Sequence, residues 1–99
     1  MDITLQYFNG CPNWKITAEL LAVIAVERPG TVVTRRLVEN LEDAEAINFR
    51  GSPSILVGGT DLFPDQSASV GMACRIYKTP TGLAGAPTLE QLRDAISTA

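Results

Sequence analysis

Between residues 2 and 38 the chain reads strand, helix, strand, and that order constrains the fold more than any other feature. Residues 2–8 alternate, with Ile3, Leu5 and Tyr7 on one face and Thr4, Gln6 and Phe8 on the other, the period of a strand. Asn9-Gly10 turns the chain. Pro12 suits a first helical turn, where its missing N–H costs nothing, and the helix is expected to run to about Arg28. Trp14, Ala18, Leu21 and Ala25 recur on one face, and Ile16, Leu20, Val23 and Ile24 widen it, so the helix is expected to be deeply buried. Its β-branched residues leave a strand reading open for positions 20–26, and Pro29-Gly30 ends the segment either way. Thr31 to Val38, rich in Val and Thr, reads as a second strand. Two strands joined through a helix must lie parallel, with a right-handed crossover.

The remainder extends the pattern. Asn40 can cap a short helix to about Asn48, with Glu42 and Asp43 in its electropositive first turn. Ser54 to Val57 is a short apolar strand closed by Gly58-Gly59, and residues 60–72 read as a long loop. Arg75 to Thr79 reads as a strand, beginning as early as Met72, that can form an antiparallel hairpin with residues 54–57. Thr88-Leu89-Glu90-Gln91 has the capping-box pattern, and Leu89, Leu92 and Ile96 give the last helix an apolar side. The expected fold is α/β, one domain over residues 1–99, in the order β-α-β-α-β-β-α, with a mixed four-stranded sheet.

Composition narrows the function classes. With 45% hydrophobic and 19% charged residues, the 99-residue chain can build a modest core. A net charge of −3 and scattered basic residues argue against a nucleic-acid partner. The apolar run Leu20 to Val26 is too short to span a membrane, and Met1 to Thr4 lacks the basic segment of a signal peptide. Two cysteines do not make a secreted disulfide framework, so a reducing cytoplasm is the expected compartment. Oligomeric state stays open.

Cys11 lies where the first strand hands over to a helix N-terminus, whose unpaired amides and positive dipole stabilise a thiolate. Position favours a reactive thiol over a buried small hydrophobe. The segment runs Cys11-Pro12-Asn13-Trp14, so the second cysteine of a Cys-x-x-Cys pair is replaced by Trp14, read as packing over the thiol. Pro12 and Asn13 shape the helix start. The chain has no histidine, which removes a Cys-His catalytic pair and, with only two cysteines, a structural zinc site. Gly82 to Ala86 lacks the setting of a phosphate loop, and no cofactor is implied. Asp61 and Asp65 read as ordinary loop acids.

The chain resembles the thioredoxin-like superfamily over nearly its whole length. The likeness rests on element order, on Cys11, and on Phe49-Arg50-Gly51-Ser52-Pro53-Ser54-Ile55-Leu56-Val57. It implies a cis-Pro53 facing Cys11, with Gly51 and Ser52 lining a substrate cleft, the Ser52 backbone pairing with an incoming peptide or thiol, and residues 79–87 walling it. A closer likeness is to small bacterial single-cysteine members that also carry Cys-Arg-x-Tyr, here Cys74 to Tyr77, some of them labelled alkylmercury lyases.

The expected activity is monothiol thiol–disulfide exchange at Cys11, with a thiol or disulfide substrate and an external, low-molecular-weight thiol to resolve it. A non-catalytic binding module and a soft-metal or organomercurial protein are the alternatives. Cys74 is the candidate second thiol. On a regular hairpin it lies three or four residues from the cis-proline end, about 10–13 Å away. A disulfide needs Cα atoms within about 7 Å, so on this geometry the pair does not bridge, unless the loop at 60–72 folds back.

Overall fold

The computed structural model describes residues 1–65 and 69–99. Among them are β1 (Asp2–Tyr7), α1 (Trp14–Glu27), β2 (Val32–Leu37), α2 (Leu41–Ile47), β3 (Ser54–Val57), β4 (Thr60–Asp61), β5 (Tyr77–Thr79), β6 (Gly82–Ala84) and α3 (Leu89–Ser97). A mixed sheet has the order β2-β1-β3-β4, with β1 parallel to β2 and antiparallel to β3, and β3 antiparallel to β4. The fold is therefore mixed α/β, with three helices and a four-stranded mixed sheet among the described residues.

The main core forms where the sheet meets α1 and α3. Ile3, Leu5 and Ile55 from the sheet pack with Leu21 and Ile24 of α1 and Leu92 and Ile96 of α3. Each such side chain stabilises the fold by about 1.5–3 kcal/mol on leaving water. Only Thr17, Leu21 and Ile24 of α1 are buried, while Ile16, Val23 and Val26 are exposed. The expectation of a deeply buried helix is corrected: the sheet and α3 cover one side of α1, and among the described residues no second layer covers the other. Asn40 caps α2 by accepting from the Asp43 N–H at 2.8 Å, and Thr88 and Gln91 close a capping box on α3. No helix among the described residues is long and apolar enough to cross a membrane.

The second half departs from expectation. Gly58 and Gly59 both have positive φ (57° and 85°), and they turn β3 directly into β4 with Val57 opposite Thr60. Such a two-residue turn needs left-handed backbone, which glycine adopts freely. β4 thereby takes the edge of β3 expected for residues 75–79. Tyr77–Thr79 instead pairs with Gly82–Ala84 in a separate two-stranded ribbon.

Residues 71–75 run alongside residues 49–52. The Gly71 N–H donates to the Phe49 carbonyl (3.0 Å), the Ser52 N–H to the Ala73 carbonyl (2.8 Å), and the Arg75 N–H to the Ser52 carbonyl (2.9 Å). The Ser52–Cys74 bridge in this track is parallel. Val70 and Met72 pack on a second core cluster of Val38, Ala44 and Phe49.

Candidate functional site

The returning segment brings the two cysteines together. Cys11 and Cys74 form a disulfide with Cα atoms 5.7 Å apart across a sequence separation of 63. The expectation that they stand too far apart to bridge is overturned. It assumed that Cys74 led into a hairpin with β3, whereas Cys74 enters beside Ser52, at the end of β3 nearest Cys11.

The surroundings of the two sulfurs differ. Cys11 lies two residues before Asn13, the N-cap of α1, and is fully buried. The Asn13 side chain does not cap the helix, and its amide nitrogen lies 3.6 Å from Cys11 Sγ, positioned to donate. The Ser52 carbonyl oxygen is 3.7 Å from the same sulfur, within reach of the proton a reduced thiol would carry. Cys74 is exposed.

Four features hold the Cys74 segment against the site. A Cβ on Gly51, whose φ is 114°, would stand 3.1 Å from both the Ala73 carbonyl oxygen and Arg75 Cβ, so glycine permits the close approach. Arg75 is 5% exposed, and its guanidinium donates to Asp61 Oδ2 (2.8 Å), Ser54 Oγ (3.3 Å) and the Phe63 carbonyl. Burying a guanidinium is costly unless it is paired and hydrogen-bonded, and these acceptors meet that need. The buried Tyr77 hydroxyl donates to the Pro53 carbonyl at 2.5 Å. The Arg75 guanidinium stands 5.0 Å from the Tyr77 ring centre. Burial pushes the Tyr77 phenol above its ordinary pKa. Cys74-Arg75-x-Tyr77 thus couples a bridging sulfur to two anchors, and Asp61 is an ion-pair partner rather than an ordinary loop acid.

The remaining expected site residues divide. The Ser52–Pro53 peptide is cis, the form the resemblance implied. Gly51, Ser52 and Pro53 are buried rather than open to a cleft, because residues 73–75 fill that place and occupy the Ser52 N–H and carbonyl. Trp14 stacks on Tyr7 with ring centres 4.3 Å apart, and the Arg35 guanidinium lies 5.5 Å from its ring. It packs on the β1–β2 side of the helix start. Pro12 is exposed, and a Cβ on Gly85 would collide with the Asn13 side chain, so the turn after β6 does close on the helix start.

A cavity of about 300 Å³, lined by Phe8, Asn9, Gly10, Val38 and Met72 among others, opens beside the chain leading into both cysteines. A cavity of about 400 Å³ bounded by Phe63, Pro64 and residues 75–78 has no cysteine in its wall. Among the described residues no three His, Cys, Asp or Glu side chains converge to hold a metal. Comparison with protein-family models, curated proteins and solved structures finds no match.

Sequence reasoning missed Ser54 and Asp61, and it met Arg75 and Tyr77 only as part of the Cys-Arg-x-Tyr likeness, with no role attached. A usable signal was Gly58-Gly59, a two-residue hairpin pattern that moves the partner of β3 to residues 60–61 and frees residues 72–79 for another place.

Proposed function

We propose that the chain is a thioredoxin-like thiol–disulfide oxidoreductase cycling between the Cys11–Cys74 disulfide and the dithiol. The observation that carries this reading is the pairing of the two cysteines at the start of α1, beside Pro53. The β1-α1-β2-α2-β3 order and mixed sheet support the thioredoxin-like assignment. The bridge supplies from within the chain the second thiol that a monothiol reaction at Cys11 would have to take from outside. With no histidine in the chain, the thiol proton goes to solvent, and the Asn13 side-chain amide and the positive end of the α1 dipole favour the Cys11 thiolate. The partner is a thiol or disulfide.

The test is opening of the disulfide in native buffer by a low-molecular-weight thiol, followed by turnover of a small disulfide. The expected result is reduction without unfolding, with turnover lost in both Cys11→Ser and Cys74→Ser. A disulfide that opens only in denaturant is a structural staple, and the fold then serves as a binding module or scaffold. A second reading draws on the same juxtaposition: once reduced, two neighbouring thiolates suit a soft ion such as Cu(I). It requires one ion per chain, lost on replacing either cysteine.

A further inference from the structure

The geometry points to Cys74, not Cys11, as the sulfur that exchanges with the outside, and to a low-molecular-weight thiol or disulfide rather than a backbone-docked peptide as its partner. The inference rests on the oxidoreductase reading and assigns the order of its steps.

Three observations converge on it. An attacking thiolate must reach a disulfide sulfur from the side opposite the departing one, so access decides which sulfur is struck. Cys11 is fully buried and Cys74 is exposed. Attack at Cys11 must therefore come through a fully buried residue, and attack at Cys74 meets an exposed one.

The departing thiolate matters as well, since a stabilised thiolate leaves faster. Attack at Cys74 releases Cys11, which has the Asn13 amide at 3.6 Å and the start of α1 beside it. Attack at Cys11 would release Cys74, which lies outside any helix.

The third observation concerns docking. An extended peptide seeking the Ser52 backbone finds its N–H bonded to Ala73 and its carbonyl to Arg75. The Arg75 contacts with Asp61, Ser54 and Phe63 and the Tyr77 bond to Pro53 do not depend on the disulfide. The segment stays in place after reduction, and Ser52 stays occupied. A small thiol needs no such docking.

In the reductive direction the Cys74 thiolate attacks R–S–S–R, forming Cys74–S–S–R and releasing RS⁻. The Cys11 thiolate then attacks Cys74 Sγ, forming the internal disulfide and releasing a second RS⁻. The substrate gains two electrons and the dithiol loses them. Two molecules of a low-molecular-weight thiol restore the dithiol by the reverse steps.

Glutathione is a suitable probe, because trypsin separates the cysteines into peptides 1–15 and 51–75. Oxidised wild-type protein is mixed with glutathione, acid-quenched early, alkylated and mapped. The expected result is glutathione on Cys74 and the alkyl label on Cys11. In parallel, Cys11→Ser should take glutathione from its disulfide on the order of a hundredfold faster than Cys74→Ser. Glutathione on Cys11 in the wild-type map overturns the assignment even if a variant fails to fold. A wild-type disulfide that never opens in native buffer sinks the oxidoreductase reading and this inference together. Opening with glutathione on Cys11 and the alkyl label on Cys74 sinks only the inference.

Discussion

Reducing the Cys11–Cys74 bridge should cost the fold about 4 kcal/mol, and the figure follows from loop length. The bridge closes a loop with a sequence separation of 63, which removes about 4 kcal/mol of chain entropy from the unfolded ensemble at room temperature. The native side of the balance changes little, because Arg75 and Tyr77 hold the Cys74 segment by contacts that survive reduction. A domain of this size commonly has about 5–15 kcal/mol of stability, so the reduced protein stays folded but loses much of its margin. Urea titrations of oxidised protein and of protein kept reduced by a phosphine, followed by Trp14 fluorescence and circular dichroism, measure the difference. The melting temperature should fall on the order of 20 °C. The reduced form should also show a slightly larger denaturant slope, because its unfolded chain exposes more surface. A difference under about 1 kcal/mol at equal slope would refute the reasoning, since it would mean that the unfolded chain already holds the two ends together.

Three further outcomes are expected. Arg75→Met removes the guanidinium while keeping an apolar stem, and it takes the donor from the Phe63 carbonyl and Asp61 Oδ2, while Ser54 Oγ keeps its bond to the Gly51 carbonyl. A loss of about 3 kcal/mol in urea is expected, and one under about 1 kcal/mol would show that the anchor is not there. Because burial raises the Tyr77 phenol, its neutral form is the one that folds, and its contribution is complete below the ordinary value of 10.0 and lost as pH rises beyond it. Stability should fall between about pH 9 and about pH 11 in wild type and less in Tyr77→Phe, and equal slopes in the two would exclude Tyr77 as the cause. The Ser52 hydroxyl is buried with no hydrogen-bond partner among the described residues, so Ser52→Ala should be neutral or gain up to about 1 kcal/mol in the oxidised protein. A clear loss on thermal melting would show that the hydroxyl has a bonded partner.

Much of the first half of the fold was legible because its determinants are local. A period of two in residues 2–8, a helix beginning near Pro12 and the Pro29-Gly30 stop each act within a turn or a strand. The Asn40 cap and the Thr88–Gln91 capping box were legible for the same reason. The partner of β3 was not. Residues 75–79 have strand character, but propensity says nothing about which edge a strand joins, and β4 reaches β3 first through a two-residue turn. The exposure of Ile16 and Val23 was missed for a related reason: hydrophobicity marks what can be buried, and burial also needs a layer to cover it.

At the candidate site, the sequence by itself determined that a cysteine stands at a strand-to-helix junction, with a Ser-Pro step ahead of an apolar strand. It also determined that no histidine assists. Those are matters of residue type and order. Only the tertiary structure decided that Cys74 meets Cys11, that Arg75 is buried on Asp61, and that Ser52 is occupied by the chain itself. Each is a contact across 14 or more residues, made by a segment whose path depends on which strand occupies the edge of β3. Strand pairing and the burial of a charge are set by what lies opposite in space, and spacing along the chain does not carry that information.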